Sequence, residues 1–506
     1  MNSLAEPVRR RAHLVPSVLL SALLVFLGIH AFGAILDFIV AVHYPYELDY
    51  GEGIVWQQAA LIPGPRMYAP GADLPFIAFH YPPLFYLVTR VAATFMPDLL
   101  SAGRLVSAIA ALSIVPLVGM LVLVAARPSV GRRTVTVVAI AVAAGLLALS
   151  LHAVRTWGLF MRVDMIAIAL GLAGVAIAAW SDGRLWGTTC GLLLCVASVY
   201  CKQTQLPAGI AIFLIVLLRR PRTAFAAAAI ATVAGLAVLA LLQWLTSGGF
   251  LENIIGSNIN RLAWVNLEDV FWPERTSFPF MMLIPIAAYG VFKTVLAPAR
   301  EGIQGQFHAR LADRATAARA ILLLHFALAS LTLATEFKSG GSCNYLLDWL
   351  CVGSVLIGVW LCDLLRSERY FAAVVGLMVL GLLFPPVRQM PDAFPQPELD
   401  RQAALVRRIA EATKPVASEN MTLLMRAGKP VIFEPAIVTE LASVGRWNQQ
   451  PLVDMIDSHG FAFMITENDV RGASPRRTPA VDAAMRRAYP TVEQAGASLW
   501  LHLPPH

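Results

Sequence analysis

Apolar residues form long runs over the first three quarters of the chain, and polar residues gather in the short segments between the runs. A helix of about 20 apolar residues can cross the hydrocarbon of a bilayer. The runs predict eleven transmembrane helices, at about 14–40, 99–126, 134–151, 164–180, 187–201, 206–218, 223–245, 278–297, 318–335, 344–364 and 369–386. We therefore expect an all-α polytopic membrane protein built as a helical bundle.

The pattern changes after the last apolar run. Charged residues return, and the apolar runs shorten to the length of strands. Segments 430–435 and 461–466 look like buried strands, whereas 400–412 and 479–489 have helical spacing. This pattern predicts a transmembrane module, residues 1–387, followed by a small soluble α/β domain, residues 388–506.

The composition supports a chain that lies in a bilayer. Hydrophobic residues make up 58% and charged residues 14%, whereas soluble domains carry about 25% charged residues. The net charge is +7, but the arginines stand between apolar runs, so we expect no nucleic-acid partner. The six cysteines show no metal-ligand spacing with histidines. The apolar stretch 14–40 exceeds the roughly 7–15 residues of a cleavable signal region, so we expect it to be a retained helix.

The arginines also predict the orientation, because cytoplasmic connectors are enriched in Lys and Arg. If the N-terminus with Arg9, Arg10 and Arg11 is cytoplasmic, every later cytoplasmic connector is basic as well. An odd number of helices then places the C-terminal domain outside, and residues 41–98 become the first outer loop. We expect the protein to lie in a bacterial cytoplasmic (inner) membrane.

The first outer loop opens with the segment HYPYELDYGEG, residues 43–53. Its three acids, Glu47, Asp49 and Glu52, are interleaved with tyrosines rather than with Ser, Lys or Gln. Aromatic interleaving favours a packed, partly buried site, and clustered acids in such a site have shifted pKa values. The alternative is a solvated acidic loop.

Cations appear in two further outer segments. In RTWGLFMRVDM, residues 155–165, Arg162 and Asp164 are either functional or an ion pair that ends two helices. In YCKQTQLP, residues 200–207, Lys202 is either a snorkelling side chain or a phosphate ligand. Its neighbours carry no counter-charge, so we expect an unpaired ammonium that Met could replace without loss of stability.

The outer segments together collect carboxylates, cations and amides on one face of the bundle. A carboxylate can deprotonate a hydroxyl, and cations stabilise a departing phosphate. This set fits glycosyl transfer from a lipid-phosphate donor. A transporter or lipid flippase would place polar residues near the bilayer midplane in broken helices. A non-catalytic assembly protein that binds partners through its outer domain is the other alternative.

The order of several short motifs resembles the GT-C superfamily of polytopic glycosyltransferases, specifically the bacterial family 39 type related to protein mannosyltransferases and aminoarabinose transferases. The similarity covers roughly the first 390 residues. The motifs are ELDYGEG (47–53), HYPPLFYL (80–87), GRLVSAIAAL (103–112), MRVDMIAIAL (161–170), CKQTQLPAG (201–209) and the Asn-Tyr pair at 344–345.

The resemblance implies a polyprenyl-phosphate-linked sugar as donor, a glycan, lipid or protein as acceptor, and an inverting reaction. Asp49 matches the general base and Glu52 a supporting acid. Many members have adjacent Asp and Glu, whereas here Gly51 precedes Glu52, so the division of roles between the two acids stays open. No other cofactor is implied, and a divalent metal is possible but not required.

Residues from the outer segments complete the predicted site. The expected ligands of the donor phosphate are Lys202, Arg162 and Arg261. The expected substrate-binding residues are Glu47, Tyr50, His80, Tyr81, Asp164, Gln203, Asn258, Lys338, Asn344 and Tyr345. We expect no dedicated metal ligand among them.

Overall fold

The computed structural model of the protein describes residues 5–71, 73–126, 132–258, 311–334, 342–383, 385–467, 474, 476–496 and 498–505. The predicted helix 278–297 and the predicted site residues Arg261 and Lys338 lie outside these ranges.

Helices dominate the described part of the membrane module, and they occur at each of the other predicted positions. In chain order they are α1 (Ala5–His43), α2 (Tyr50–Ala60), α3 (Leu84–Ala92), α4 (Leu99–Ala125), α5 (Arg132–Ser150), α6 (His152–Leu159), α7 (Asp164–Trp180), α8 (Leu185–Val199), α9 (Pro207–Arg219), α10 (Pro221–Leu245), α11 (Arg314–Thr332), α12 (Leu346–Leu364) and α13 (Glu368–Gly381). Short helical segments occupy Gly249–Leu251, Glu252–Gly256 and Cys343–Tyr345.

Six helical stretches among the described residues are long and apolar enough to cross a membrane. The number rises to seven if the bent pair α6 and α7 counts as one span. Helices α8 and α9 are apolar but have only 15 and 13 residues. The predicted count of eleven spans is therefore not established by helix length.

The segment 155–165, which lies between two of the predicted transmembrane helices, is itself partly helical. It contains most of α6, after which the chain turns at 160–163 and enters α7. The axes of α6 and α7 differ by 120°. The turn places Arg162 and Asp164 at the bend between the two helices.

Local sequence signals explain several helix starts and one close packing contact. Pro207 and Pro221 stand in the first turn of α9 and α10, where a missing amide hydrogen costs nothing. Gly174 and Gly191 let α7 and α8 meet backbone to backbone, because an added Cβ on either would lie 2.6 Å from the other's carbonyl oxygen. Small residues at such contacts are typical of helices packed in membranes.

The C-terminal region contains a four-stranded mixed sheet in the order β1–β2–β4–β3. Strand β1 pairs in parallel with β2, and β4 runs antiparallel to both β2 and β3. The strands are β1 (Ala417–Ser418), β2 (Met464–Thr466), β3 (Thr491–Gln494) and β4 (Trp500–Leu503). The helices are α14 (Gln396–Glu411), α15 (Met421–Arg426), α16 (Pro435–Ser443), α17 (Gln450–Asp457) and α18 (Pro479–Ala488).

These elements confirm the predicted helices at 400–412 and 479–489 and place a strand within 461–466. The strand prediction for 430–435 is wrong, because Phe433 makes only an isolated parallel bridge with Phe76 of the first loop. Next to this bridge, the amide of Phe76 donates a hydrogen bond to the carbonyl of Ile432, at 2.8 Å.

The first loop and the C-terminal region pack against each other. Tyr44 stacks on Phe394 with ring centroids 3.7 Å apart. Apolar side chains from both regions share two buried clusters, one around Phe76 and Phe433 and the other around Tyr46 and Leu424. Both regions therefore lie at the same end of the helical bundle.

Candidate active site

Asp49 lies in the first loop and is the N-cap residue of α2. Its Oδ2 accepts hydrogen bonds from the amide of Gly51 at 2.9 Å and from Arg162 Nη1 at 3.1 Å. The side chain keeps 27% of its surface exposed. Burial raises the pKa of Asp49 above its ordinary value, and the charge of Arg162 opposes that rise. Asp49 is thus a partly accessible carboxylate held beside a guanidinium.

Gly51 gives Arg162 the room to reach Asp49. A Cβ atom added at Gly51 would lie 1.1 Å from Nη1 of Arg162 and 2.9 Å from Oδ2 of Asp49. Any larger residue would have to displace the guanidinium. The absence of a side chain at Gly51 is therefore part of the site.

Glu52 has a different environment from Asp49, because it is fully buried and paired with Arg104 of α4. The two Glu52 oxygens lie 2.7 and 2.6 Å from Nε and Nη2 of Arg104. They also accept amide hydrogens from Leu48 and Met161. Arg104 donates in addition to carbonyls at the end of α1, those of Ala41, Tyr44 and Tyr46. Glu52 is fully engaged inside the protein and does not face the opening that exposes Asp49.

Lys202 is buried and ion-paired, contrary to the expectation of an unpaired ammonium. Its Nζ lies 2.5 Å from Oδ1 of Asp164, 38 residues away in the chain. Asn344 donates to the same oxygen at 3.0 Å. Nζ of Lys202 also lies 4.6 Å from the ring centroid of Tyr345. The structure thus joins four predicted site residues from three separate segments.

His80 links the first loop to this cluster through its backbone. Its carbonyl accepts from Nε2 of Gln203 at 2.9 Å and from Nδ2 of Asn258 at 3.2 Å. Burial lowers the pKa of His80 to about 4, and the nearby Arg162 charge acts in the same direction. The imidazole is therefore neutral at physiological pH. The next residue, Tyr81, has its ring centroid 6.2 Å from that of His80, and its carbonyl accepts a hydrogen bond from the Tyr68 hydroxyl at 2.7 Å.

Several buried polar atoms in this cluster have no hydrogen-bond partner within the described part of the chain. They are Nε of Arg162, Oδ2 of Asp164 and Oε1 of Gln203. Buried polar atoms in folded proteins nearly always have a partner. Unused donors and acceptors grouped beside a partly exposed carboxylate are typical of a substrate-binding site.

Glu47 and Tyr50 face the C-terminal region instead. The Tyr50 hydroxyl donates to Oε1 of Glu434 at 2.6 Å, and the guanidinium carbon of Arg476 lies 3.7 Å from the Tyr50 ring centroid. Glu434 and Arg476 were not predicted, nor was Arg104. Their partners are far away in sequence, so no local pattern marks them.

The described residues contain no group of three or more His, Cys, Asp or Glu placed to hold a metal ion.

Comparison with known proteins gives a match at the level of three-dimensional structure. No protein-family model matches the chain, and no curated protein matches it either. The match shows a shared fold. The chain is a multi-pass membrane protein.

One protein with this fold is ArnT from Cupriavidus metallidurans, solved with bound undecaprenyl phosphate. It is 14% identical, with a TM-score of 0.53, and the match covers 94% of this chain and 98% of ArnT. The apo state of the same ArnT gives 14% identity, the same coverage and a TM-score of 0.49. The oligosaccharyltransferase of Archaeoglobus fulgidus in its apo form gives 11% identity, coverage of 90% and 70%, and a TM-score of 0.49. The shared fold with ArnT agrees with the helical bundle that the motif resemblance implies.

Proposed function

We propose that the protein is an inverting glycosyltransferase on the outer face of a bacterial cytoplasmic membrane. It transfers a sugar from a polyprenyl-phosphate-linked donor to a glycan, lipid or protein acceptor. The observation that carries this proposal is the partly exposed Asp49 beside Arg162, which stands two residues before the Asp164 that pairs with the buried Lys202. A shared fold with a protein solved with undecaprenyl phosphate supports a lipid-phosphate donor.

The reaction follows from the positions of these groups. Asp49 takes the proton of an acceptor hydroxyl, and the hydroxyl oxygen attacks the anomeric carbon of the donor sugar. The bond between that carbon and the phosphate oxygen breaks, and the phosphate leaves with the electron pair. Arg162 and Lys202 stabilise the negative charge on the departing phosphate. Attack opposite the leaving group inverts the anomeric carbon.

The remaining site residues have supporting roles in this proposal. Asn344 and Asp164 hold Lys202 in place, and Gln203 and Asn258 fix the backbone of His80. Glu52 acts as a positioning residue, since its bonds to Arg104 and to the amide of Leu48 fix the start of α2. From the sequence alone, Arg261 stays a predicted ligand of the donor phosphate and Lys338 a predicted substrate-binding residue. The proposal also includes eleven membrane-spanning helices, a transmembrane module of residues 1–387 and an outer domain of residues 388–506.

The direct test is turnover by the purified protein with a panel of polyprenyl-phospho-sugars. Release of polyprenyl phosphate would be measured in the presence of crude envelope acceptors. Asp49→Asn keeps the shape of the side chain but cannot take a proton, so we expect a loss of about 10²–10⁴-fold with an unchanged thermal-unfolding midpoint. Asp400→Asn, on the exposed face of α14, serves as the matched control with normal turnover. Near-normal turnover of Asp49→Asn would exclude Asp49 as the base.

One observation favours a lipid flippase as the second candidate. Arg162 and Asp164 stand at the break of the bent pair α6 and α7, and broken helices carry the binding sites of many transporters. A transferase cleaves the bond between the donor sugar and the phosphate, whereas a flippase leaves that bond intact. A flippase would move the intact lipid-linked sugar across a proteoliposome membrane without releasing polyprenyl phosphate.

A further inference from the structure

A second open space is lined by Asp49 but not by Arg162 or Lys202. It is a cavity of about 310 Å³ between residues 47–50 of the first loop and the C-terminal region. Carboxylates line it from both regions, namely Glu47, Glu398 and Glu467, together with Asp49 itself. The amides of Gln402 and Asn420 complete its polar wall. The cavity is large enough for one or two sugar rings.

Four acids and one arginine line the cavity. Asp49 and Glu398 are paired with Arg162 and Arg401, neither of which is a lining residue. Arg476 is its cation, and the guanidinium already pairs with Glu467 and covers the ring of Tyr50. Oε2 of Glu47 is buried and has no hydrogen-bond partner within the described residues. Burial and the neighbouring Glu467 charge raise the pKa of Glu47 well above its ordinary value. The wall thus presents an acid that lacks a cationic partner.

Asp49 is therefore shared by a cationic cluster and an acidic cavity. Arg162 and Lys202 suit a phosphate. A phosphate in the cavity would instead meet the unpartnered acid Glu47 together with Glu398 and Glu467, a set of groups that disfavours an anion. A donor phosphate bound at the cationic cluster leaves the acidic cavity as the route by which an acceptor hydroxyl reaches Asp49.

We infer that this cavity is the acceptor site and that it takes an aminated carbohydrate. The protonated amine of the acceptor gives Glu47 the cationic partner that it lacks and so favours its ionised form, while the hydroxyls of the acceptor bind Gln402 and Asn420. An acceptor rich in phosphate or carboxylate is excluded by the same charges. This inference rests on the proposed function and adds the chemical class of the acceptor.

The test is equilibrium binding of three soluble tetrasaccharides of equal length to the full-length purified protein at low salt. They are tetramers of glucosamine, N-acetylglucosamine and galacturonic acid, which are cationic, neutral and anionic. We expect the glucosamine tetramer to bind at least tenfold more tightly than the neutral one, and no measurable binding of the anionic one. Binding of the cationic tetramer should weaken as salt screens the charges.

Glu398→Gln removes one charge from the cavity wall and should weaken binding of the glucosamine tetramer roughly fivefold, the upper range for a partly exposed ion pair. Glu493→Gln is the matched control, because Glu493 of β3 is also paired with an arginine, Arg408, but lies outside the cavity. The Glu493→Gln variant should bind the glucosamine tetramer as tightly as the wild type does.

Equal affinity for the three tetramers, no binding of the cationic one, or insensitivity to Glu398→Gln would each overturn the acceptor assignment. The proposed transferase function is judged separately, by release of polyprenyl phosphate. Turnover with another acceptor but without tetramer binding would remove the aminated acceptor and leave the transferase standing. Tetramer binding without turnover of any donor would instead overturn the transferase function and leave the cavity as a carbohydrate-binding site.

Discussion

The environment of Lys202 is set by a partner that is distant in sequence. The sequence around it suggests a lone ammonium, yet Asp164 lies 2.5 Å from its Nζ and both side chains are buried. Lys202→Met would leave the Asp164 carboxylate buried without its cation. Breaking a buried pair on one side costs about 3–5 kcal/mol, so we expect a clearly lower thermal-unfolding midpoint in detergent, together with weaker donor binding.

The double variant Lys202→Met with Asp164→Leu separates the pair's stability from its function. Replacing both charges by apolar side chains removes the uncompensated carboxylate, so most of the lost stability should return. Donor binding should stay weak, because the cation is still missing. A single Lys202→Met variant as stable as the wild type would contradict the buried ion pair.

Gly51 tests whether the contact between Arg162 and Asp49 matters for the reaction. Gly51→Ala places a methyl group 1.1 Å from the present position of Nη1 of Arg162, which forces the guanidinium away. Alanine is a better helix former than glycine, by roughly 1 kcal/mol in a helix interior, so α2 should stay folded. We expect at least a tenfold loss of turnover at an unchanged unfolding midpoint.

Gly28→Ala is the control for this substitution. Gly28 lies in α1, and an added Cβ there would meet no atom within 4 Å. Both the turnover and the unfolding midpoint of this variant should match those of the wild type. Wild-type turnover of Gly51→Ala itself would show that Arg162 can leave Asp49 without consequence.

At the scale of elements, the buried pair Glu52–Arg104 ties α2 to α4 and to the end of α1. Glu52→Gln keeps the shape but removes the charge that balances Arg104, so we expect a loss of about 3–5 kcal/mol in stability. The measurement is the unfolding midpoint and the yield of monodisperse protein, compared with Asp49→Asn. A stable Glu52→Gln protein with no turnover would instead make Glu52 the base and Asp49 the supporting acid.

The helices were predictable because bilayer-length apolar runs are a strong local signal. Their partners were not, because contacts such as Glu52 with Arg104 or Asp37 with Arg155 join residues 52 and 118 positions apart. The sequence offered Asp49, Arg162, Asp164, Lys202 and Asn344 as separate candidates. Their convergence depends on the bend between α6 and α7, which the apolar pattern did not reveal.

The strand prediction at 430–435 failed for a related reason. An apolar run of strand length shows that a segment is buried, but not what covers it. Phe433 is covered by Phe76 of the first loop and by Phe461. Packing against the first loop therefore helps to bury this segment, and it does not pair as a strand in the sheet. Segment 461–466 contributes a strand because β1 and β4 flank it.

At the scale of the whole molecule, one packing contact bears on the topology without a count of helices. The chain leaves α1 after His43 and enters the loop that packs on the C-terminal region, through Tyr44 with Phe394 and Phe76 with Phe433. If α1 crosses the bilayer, the N-terminus and the C-terminal region lie on opposite sides. This holds whether α8 and α9 cross the membrane or not.

The positive-inside rule then supplies the direction, because Arg9, Arg10 and Arg11 precede α1's apolar stretch and favour the cytoplasm. We predict that a reporter that fluoresces only in the cytoplasm stays dark when fused after His506 and is bright when fused before Met1. A bright C-terminal fusion together with a dark N-terminal one would invert the whole protein and move Asp49 and its cavity to the cytoplasmic face. Two bright fusions would mean that α1 does not span the membrane, which would contradict the contact-based topology itself.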